Sequence, residues 1–170
     1  MTRRSLISAV LLTALIALSL WLLFLEDGNN AAGNNNLLEI VGGLEVLHGQ
    51  IPPETELASR PTLVVFWNTW CPSCVHELVH FRDEYSNIKD AVNLLAVNLV
   101  KGERNEAELR QFLSEADLPY PVLADREGKA TEAFTFRYIP ASFLLDTGGN
   151  ILHSRQGRLD VDTLMQWLED

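Results

Sequence analysis

Cysteine is scarce in this chain of 170 residues, which holds only Cys71 and Cys74, three positions apart. A small secreted scaffold stapled by disulfides needs more cysteines spread along its length, so that class is excluded. Without a second pair, a four-cysteine zinc site is excluded too. A bond between cysteines this close closes a very short loop, which does little for a fold through chain entropy. Positive charge is also sparse. The formal net charge is −10, and setting aside Arg3 and Arg4 leaves 11 basic against 23 acidic residues from Glu26 on. The basic residues form no stripe, and such a surface repels phosphate backbones, which argues against nucleic-acid binding.

The longest uncharged run is at the N-terminus, where residues 5–25 make 21 positions without a charge. As a helix rising about 1.5 Å per residue, this run spans roughly 30 Å, the thickness of a bilayer's hydrocarbon core. Arg3 and Arg4 flank one end, Glu26 and Asp27 the other, which leaves the N-terminus cytoplasmic and the remainder outside. The sequence thus predicts a cytoplasmic stub and transmembrane anchor over 1–25. The competing reading is a cleaved signal peptide, whose apolar stretch is usually about 7–15 residues and ends in a small-x-small site. Trp21, Leu22, Leu23, Phe24 and Leu25 close the run here, and Ala31, Ala32 and Gly33 come several polar residues later. No cysteine lies in this region, which excludes a lipoprotein anchor. Residues 26–36, rich in Asn, Gly and Ala, read as a flexible tether.

Residues 37–170 form the expected folded domain, in which strand and helix patterns alternate. Residues 37–41 and 44–47, separated by Gly42 and Gly43, look like a short hairpin, and 51–60 a connecting stretch. The continuous apolar run 62–67 suits a strand buried on both faces. A helix follows over about 71–85, with Cys74, Leu78, Phe81 and Tyr85 on one face. Residues 92–100 read as a second buried strand. Residues 105–116 read as an acidic amphipathic helix with Leu109, Phe112 and Leu113 inward. A short strand at 120–123, a short helix at 126–134 and a third apolar strand at 141–146 come next. Gly148, Gly149 and Asn150 then turn into an antiparallel partner at 151–154, and 161–168 closes the chain as a helix. This pattern predicts an α/β fold, a mixed sheet with helices on both faces.

Cys71 and Cys74 sit where an apolar strand gives way to a helix. Unpaired N–H groups and the macrodipole at a helix start stabilise an anion, so Cys71 is expected as a thiolate nucleophile of depressed pKa. Cys74, one turn inside, is expected to resolve the mixed disulfide. Pro72 fits the first helical turn, where its missing N–H matters little. This chemistry resides in the two sulfurs and calls for no cofactor. Half of a metal site, or two incidental buried thiols, are the structural alternatives.

The stretch from Phe66 through Trp70, Cys71, Pro72, Ser73 and Cys74, and that from Tyr138 through Pro140 to Asp146, resemble the two hallmarks of the thioredoxin superfamily. Within it, residues 60–170 are most similar to the membrane-anchored TlpA/ResA/CcmG-like thiol–disulfide oxidoreductases. The helix and strand between Asp90 and Leu123 resemble the βα insertion of this branch. The resemblance implies a thioredoxin-like sheet and a cis Pro140 facing the dithiol. It also implies an Ile139 backbone that pairs with an extended substrate beside Trp70. A trans proline starting an edge strand is the alternative for Pro140. Glu77 matches an acid carried by many ResA-like proteins, and implies a group that exchanges a proton with Cys74. A solvated glutamate near a helix start is its alternative. In thioredoxin itself the buried acid lies six residues before the first cysteine, where this chain has Val65. Two departures stand out. Val79 occupies the place of the usual kink-forming proline, and the segment before Pro140 lacks the Gly-x-Pro-Glu-Thr pattern of the dedicated cytochrome-maturation members.

The resemblance implies a single-pass protein of the bacterial inner (cytoplasmic) membrane, with its domain in the periplasm or outside. It would act as a reductant of protein disulfides, apocytochrome c among them, recharged by a membrane thiol carrier. An oxidant or isomerase of the same fold is the opposite direction of flow. A copper-binding metallochaperone is the rival from another class, using His76 and His80, four apart on the helix of Cys74, with His153 from the hairpin. Helical geometry turns His76 about 160° from Cys74, at roughly 100° per residue. A peroxidase fails on spacing, because it needs Thr or Ser three residues before the cysteine and Thr69 stands two before Cys71.

Overall fold

A computed structural model describes residues 36–169. The expected anchor and nearly all of the tether lie outside the described residues. Among the described residues, no helix is long and apolar enough to cross a membrane.

The first element is a helix, α1 (Leu37–Gly42), and not the first arm of a hairpin. Asn36 caps it by accepting the Leu38 N–H, and Leu37 and Val41, four apart, bury one face. Gly43 ends this helix instead of turning a hairpin. Strand β1 (Glu45–His48) follows, then a one-turn helix α2 (Glu54–Leu57) starting at Pro53, inside the stretch expected to be a plain connection. The remaining elements keep the expected order. They are β2 (Thr62–Trp67), α3 (Pro72–Asp83), α4 (Tyr85–Ile88), β3 (Asn93–Asn98), a 3₁₀ turn (Val100–Gly102), α5 (Glu106–Glu115) and β4 (Val122–Ala124). After these come α6 (Lys129–Phe134), β5 (Ala141–Leu145), β6 (Ile151–Gln156) and α7 (Val161–Glu169).

The six strands form one sheet in the order β1-β4-β3-β2-β5-β6. β2, β3 and β4 run parallel, and β1, β5 and β6 pair antiparallel to their neighbours. β2 is central and wholly buried. Its side chains alternate, so Leu63, Val65 and Trp67 meet the cysteines, α3, α5 and α7 on one face. Val64 and Phe66 meet α1, α6 and the opposite face of β5. There Phe66 lies 5.0 Å from Phe134 and 5.9 Å from Phe143, ring centre to centre. Burying a side chain of that size contributes about 2–3 kcal/mol, so the two apolar layers clamp the central strand from both sides.

The same register gives the sheet two distinct ends. Phe66 pairs with Ala141 and Thr62 with Leu145, so the end of β2 that leads to Cys71 lies beside Pro140. The β5–β6 turn lies at the other end. Asn36 packs against that turn, where Gly149 (φ +84°) has no room for a side chain: a Cβ would fall 2.3 Å from Asn36 Oδ1.

Candidate active site

Cys71 is the N-cap of α3, in extended backbone, and its Sγ accepts the Cys74 N–H at 3.2 Å. Pro72 follows at the first helical position. The two cysteines are joined by a disulfide with a Cα–Cα distance of 5.2 Å. Cys71 keeps 6% of its surface exposed and Cys74 only 1%, so Cys71 is the more accessible residue of the pair. The N–H that Cys71 Sγ accepts belongs to the first turn of a helix, the end at which negative charge is stabilised.

The loop before Cys71 is held from one side by the segment after β3. Asn68 Nδ2 donates to the Leu99 carbonyl at 2.9 Å, and Trp70 Nε1 donates to the Gly102 carbonyl at 2.7 Å. The Glu103 carboxylate accepts the Thr69 N–H at 2.8 Å, the Thr69 hydroxyl, and the Asn98 side-chain N–H at 2.6 Å. Trp70 itself is 41% exposed, with the Arg104 guanidinium 5.6 Å from its ring centre.

The wall on the other side comes from β5 and β6. The Ile139–Pro140 bond is cis and Pro140 is buried. Gly157 N–H donates to the Pro140 carbonyl at 2.8 Å, and Gln156 Oε1 accepts from the backbone of Arg137 at 2.8 Å and Tyr138 at 3.3 Å. The Ile139 side chain packs toward both apolar layers. Its neighbour Tyr138 stands 60% exposed.

Glu77 is wholly buried on α3, one turn past Cys74 and on the same helix face, where residues three apart are neighbours. Its carboxylate accepts the Ser142 hydroxyl at 2.9 Å and the Leu159 N–H at 3.0 Å. Burial pushes its pKa up to about 7, against the pull of those two hydrogen bonds and of Arg158 and Arg155. The alternative of a solvated glutamate is thereby overturned. α3 continues unbroken through Val79 to Asp83, and the helix breaks only at Glu84, before α4. Tyr120 ties this helix in place by donating its buried hydroxyl to the Leu78 carbonyl at 2.6 Å.

Cys71, Cys74 and Glu77 are therefore gathered with Pro140 and Ile139 at one end of the sheet, and Trp70 lies at the rim. The histidines are not gathered with them. His76 lies exposed, 3.3 Å from Arg158 Nη1, and His153 stacks on Trp167 at 5.2 Å. Among the described residues, no group of three His, Cys, Asp or Glu could hold a metal ion. A cavity of about 560 Å³ lies between α1 and α2 and includes none of the site residues.

Sequence reasoning missed Ser142, Leu159, Glu103, Asn98 and Gln156. Ser142 carried a signal, being a polar residue within an otherwise apolar buried strand, and Asn98 a weaker one as a buried polar residue at the end of β3. The others meet their partners only through the fold.

The sequence pattern of the AhpC/TSA family matches residues 44–154. The chain is 33% identical over 112 residues to sporulation thiol-disulfide oxidoreductase A of Bacillus subtilis, covering 65% of this chain and 68% of that one. It is 25% identical over 161 residues to thiol-disulfide oxidoreductase ResA of Geobacillus thermodenitrificans, covering 94% and 90% of the two chains. Among solved structures, StoA from Bacillus subtilis superposes with a TM-score of 0.63 at 30% identity, covering 73% of this chain and 92% of its own.

Proposed function

The chain belongs to the AhpC/TSA family and is a thioredoxin-like thiol–disulfide oxidoreductase, and on that premise we propose that it works as a reductant of protein disulfides. In this reading the Cys71 thiolate attacks one sulfur of a substrate disulfide. A mixed disulfide forms and the other substrate sulfur leaves as a thiol. The Cys74 thiolate then attacks Cys71 Sγ, and the second substrate sulfur leaves with a proton. The substrate gains two electrons and two protons, and the protein ends with the Cys71–Cys74 bond. Glu77 holds the proton exchanged with Cys74. The cis Pro140 and the Ile139 backbone receive an extended substrate strand, and Trp70 forms the edge of its path. In support, the Ile139 backbone enters none of the sheet or loop hydrogen bonds among the described residues.

The observation that carries the direction of flow is the buried carboxylate beside Cys74. A strong oxidant of this fold owes its potential to a stabilised reduced form. An acid withheld from water next to the resolving sulfur works the other way, disfavouring a thiolate there and favouring the disulfide. Residues 1–25 would anchor the chain to the bacterial inner membrane with the domain outside, near a membrane thiol carrier that restores the dithiol. Apocytochrome c is one substrate that fits this setting. The test is the reduction potential of the full chain, equilibrated against a defined thiol–disulfide buffer. A value at or below about −220 mV supports the reductant, and one near about −120 mV makes the protein an oxidant.

A further inference from the structure

The cations of this acidic chain are divided by their surroundings. Arg60, Arg82, Arg110, Arg126 and Lys129 each hold a carboxylate. Lys101 donates to the Glu127 carbonyl, and Lys89 lies at the end of the sheet away from the dithiol, where its carbonyl accepts from Arg60. Four exposed arginines have no carboxylate ion pair among the described residues: Arg104, Arg137, Arg155 and Arg158. All four belong to the segments that frame the disulfide.

Arg104 lies over Trp70, the residue before Cys71. Arg137 comes three residues before Pro140, with its backbone held by Gln156. Arg155 pairs across from Ser142 and so shares the face on which Ser142 reaches Glu77. Arg158 follows Gly157, which bonds Pro140, and reaches His76 on α3. Among the acids near these arginines, Glu103 is engaged by Thr69 and Asn98, Glu77 is buried, Asp160 caps α7 through the Thr163 N–H, and Glu106 pairs with Arg110 and Arg126. Glu108 and Asp162 are exposed and close in sequence to Arg104 and Arg158. Among the described residues the rim thus sets four guanidinium groups without an ion pair against these two exposed carboxylates. At physiological salt, charges beyond about 8 Å are largely screened, so a docking partner meets this rim and not the net charge of −10.

We propose that the protein disulfide exchanged at Cys71 is presented on an acidic segment, whose Asp and Glu side chains engage Arg104 on one wall and Arg137, Arg155 and Arg158 on the other. This rests on the reading of the dithiol as acting on protein disulfides, and adds the chemistry of the partner.

Two synthetic peptides with one identical disulfide ring test it, one flanked by Asp and Glu, the other by Asn and Gln at the same positions. Exchange with the full chain is followed in both directions between about 50 and 500 mM salt. The acidic peptide is expected to react about tenfold faster at low salt, with the gap closing as salt rises. In the Arg104→Gln/Arg137→Gln/Arg158→Gln variant the ratio should fall toward one. The Arg137→Gln/Arg158→Gln variant leaves the Trp70 contact intact and should lose part of the advantage. Equal rates for the two peptides, or a ratio that survives the triple substitution, overturn the acidic partner while the redox reading stands. No exchange with either peptide, in either direction, overturns both. Arginine-dependent binding to phosphatidylserine vesicles without a peptide difference would assign the rim to a membrane surface and overturn the proposal.

Discussion

Glu103 and Glu77 hold the two sides of the disulfide, and each accepts bonds from a backbone N–H and a hydroxyl, yet water reaches only one of them. Glu103 is half-buried and gathers Thr69 and Asn98 around a carboxylate that stays partly solvated. Glu77 is wholly enclosed between α3, β5 and the segment after β6, with two donors. Two hydrogen bonds do not replace the lost hydration of a charge, so burial dominates and raises its pKa to about 7. The same residue type thus clamps a loop on one side, while on the other it lies enclosed with its pKa raised, the setting in which we propose that it stores a proton.

The sharpest way to break this comparison is to remove the charge that water cannot reach. A carboxyl whose folded pKa lies above its unfolded value binds its proton more tightly when folded. Its contribution to stability is complete below about pH 4.5 and declines as pH rises through about 7. Beyond that, the buried charge costs about 3 kcal/mol. Glu77→Gln is expected to flatten this decline, so that at pH 8 the disulfide form of the variant resists urea better than the parent while the two converge near pH 4.5. Equal pH profiles would refute the proton store. Next in size, Glu103→Ala strips three donors of their acceptor and should lower stability by about 2 kcal/mol, read from urea unfolding. Slower disulfide exchange should accompany it, because the loop before Cys71 loses its clamp. The smallest change sharpens the contrast between walls. Gln156→Ala frees the N–H groups of Arg137 and Tyr138 at an exposed site, and should lower the urea midpoint by no more than about 1 kcal/mol equivalent.

Much of the framework was legible because it rests on local pattern. The run over β2 could bury both faces, and the cysteines marked the start of α3. The misread start of the domain has an equally local cause. Gly42 and Gly43 resemble a hairpin turn, but Asn36 as a cap and the four-residue spacing of Leu37 and Val41 favour a helix. The environment of Glu77 was not legible, since Ser142 and Leu159 lie 65 and 82 residues further along. Glu103 gave no signal either, because it meets Thr69 across 34 positions, after β3 has aligned with β2.

Asn36 against the β5–β6 turn gives the domain a polarity. The dithiol occupies the head, at the end of the sheet where β2 terminates, and the chain joins at the tail, beside Gly149. With six residues in β2 and about 3.3 Å per residue, head and tail stand roughly 20 Å apart. A partner that takes hold of the head leaves Asn36 and the β5–β6 turn untouched, so capture of a disulfide and the start of the folded domain occupy separate poles.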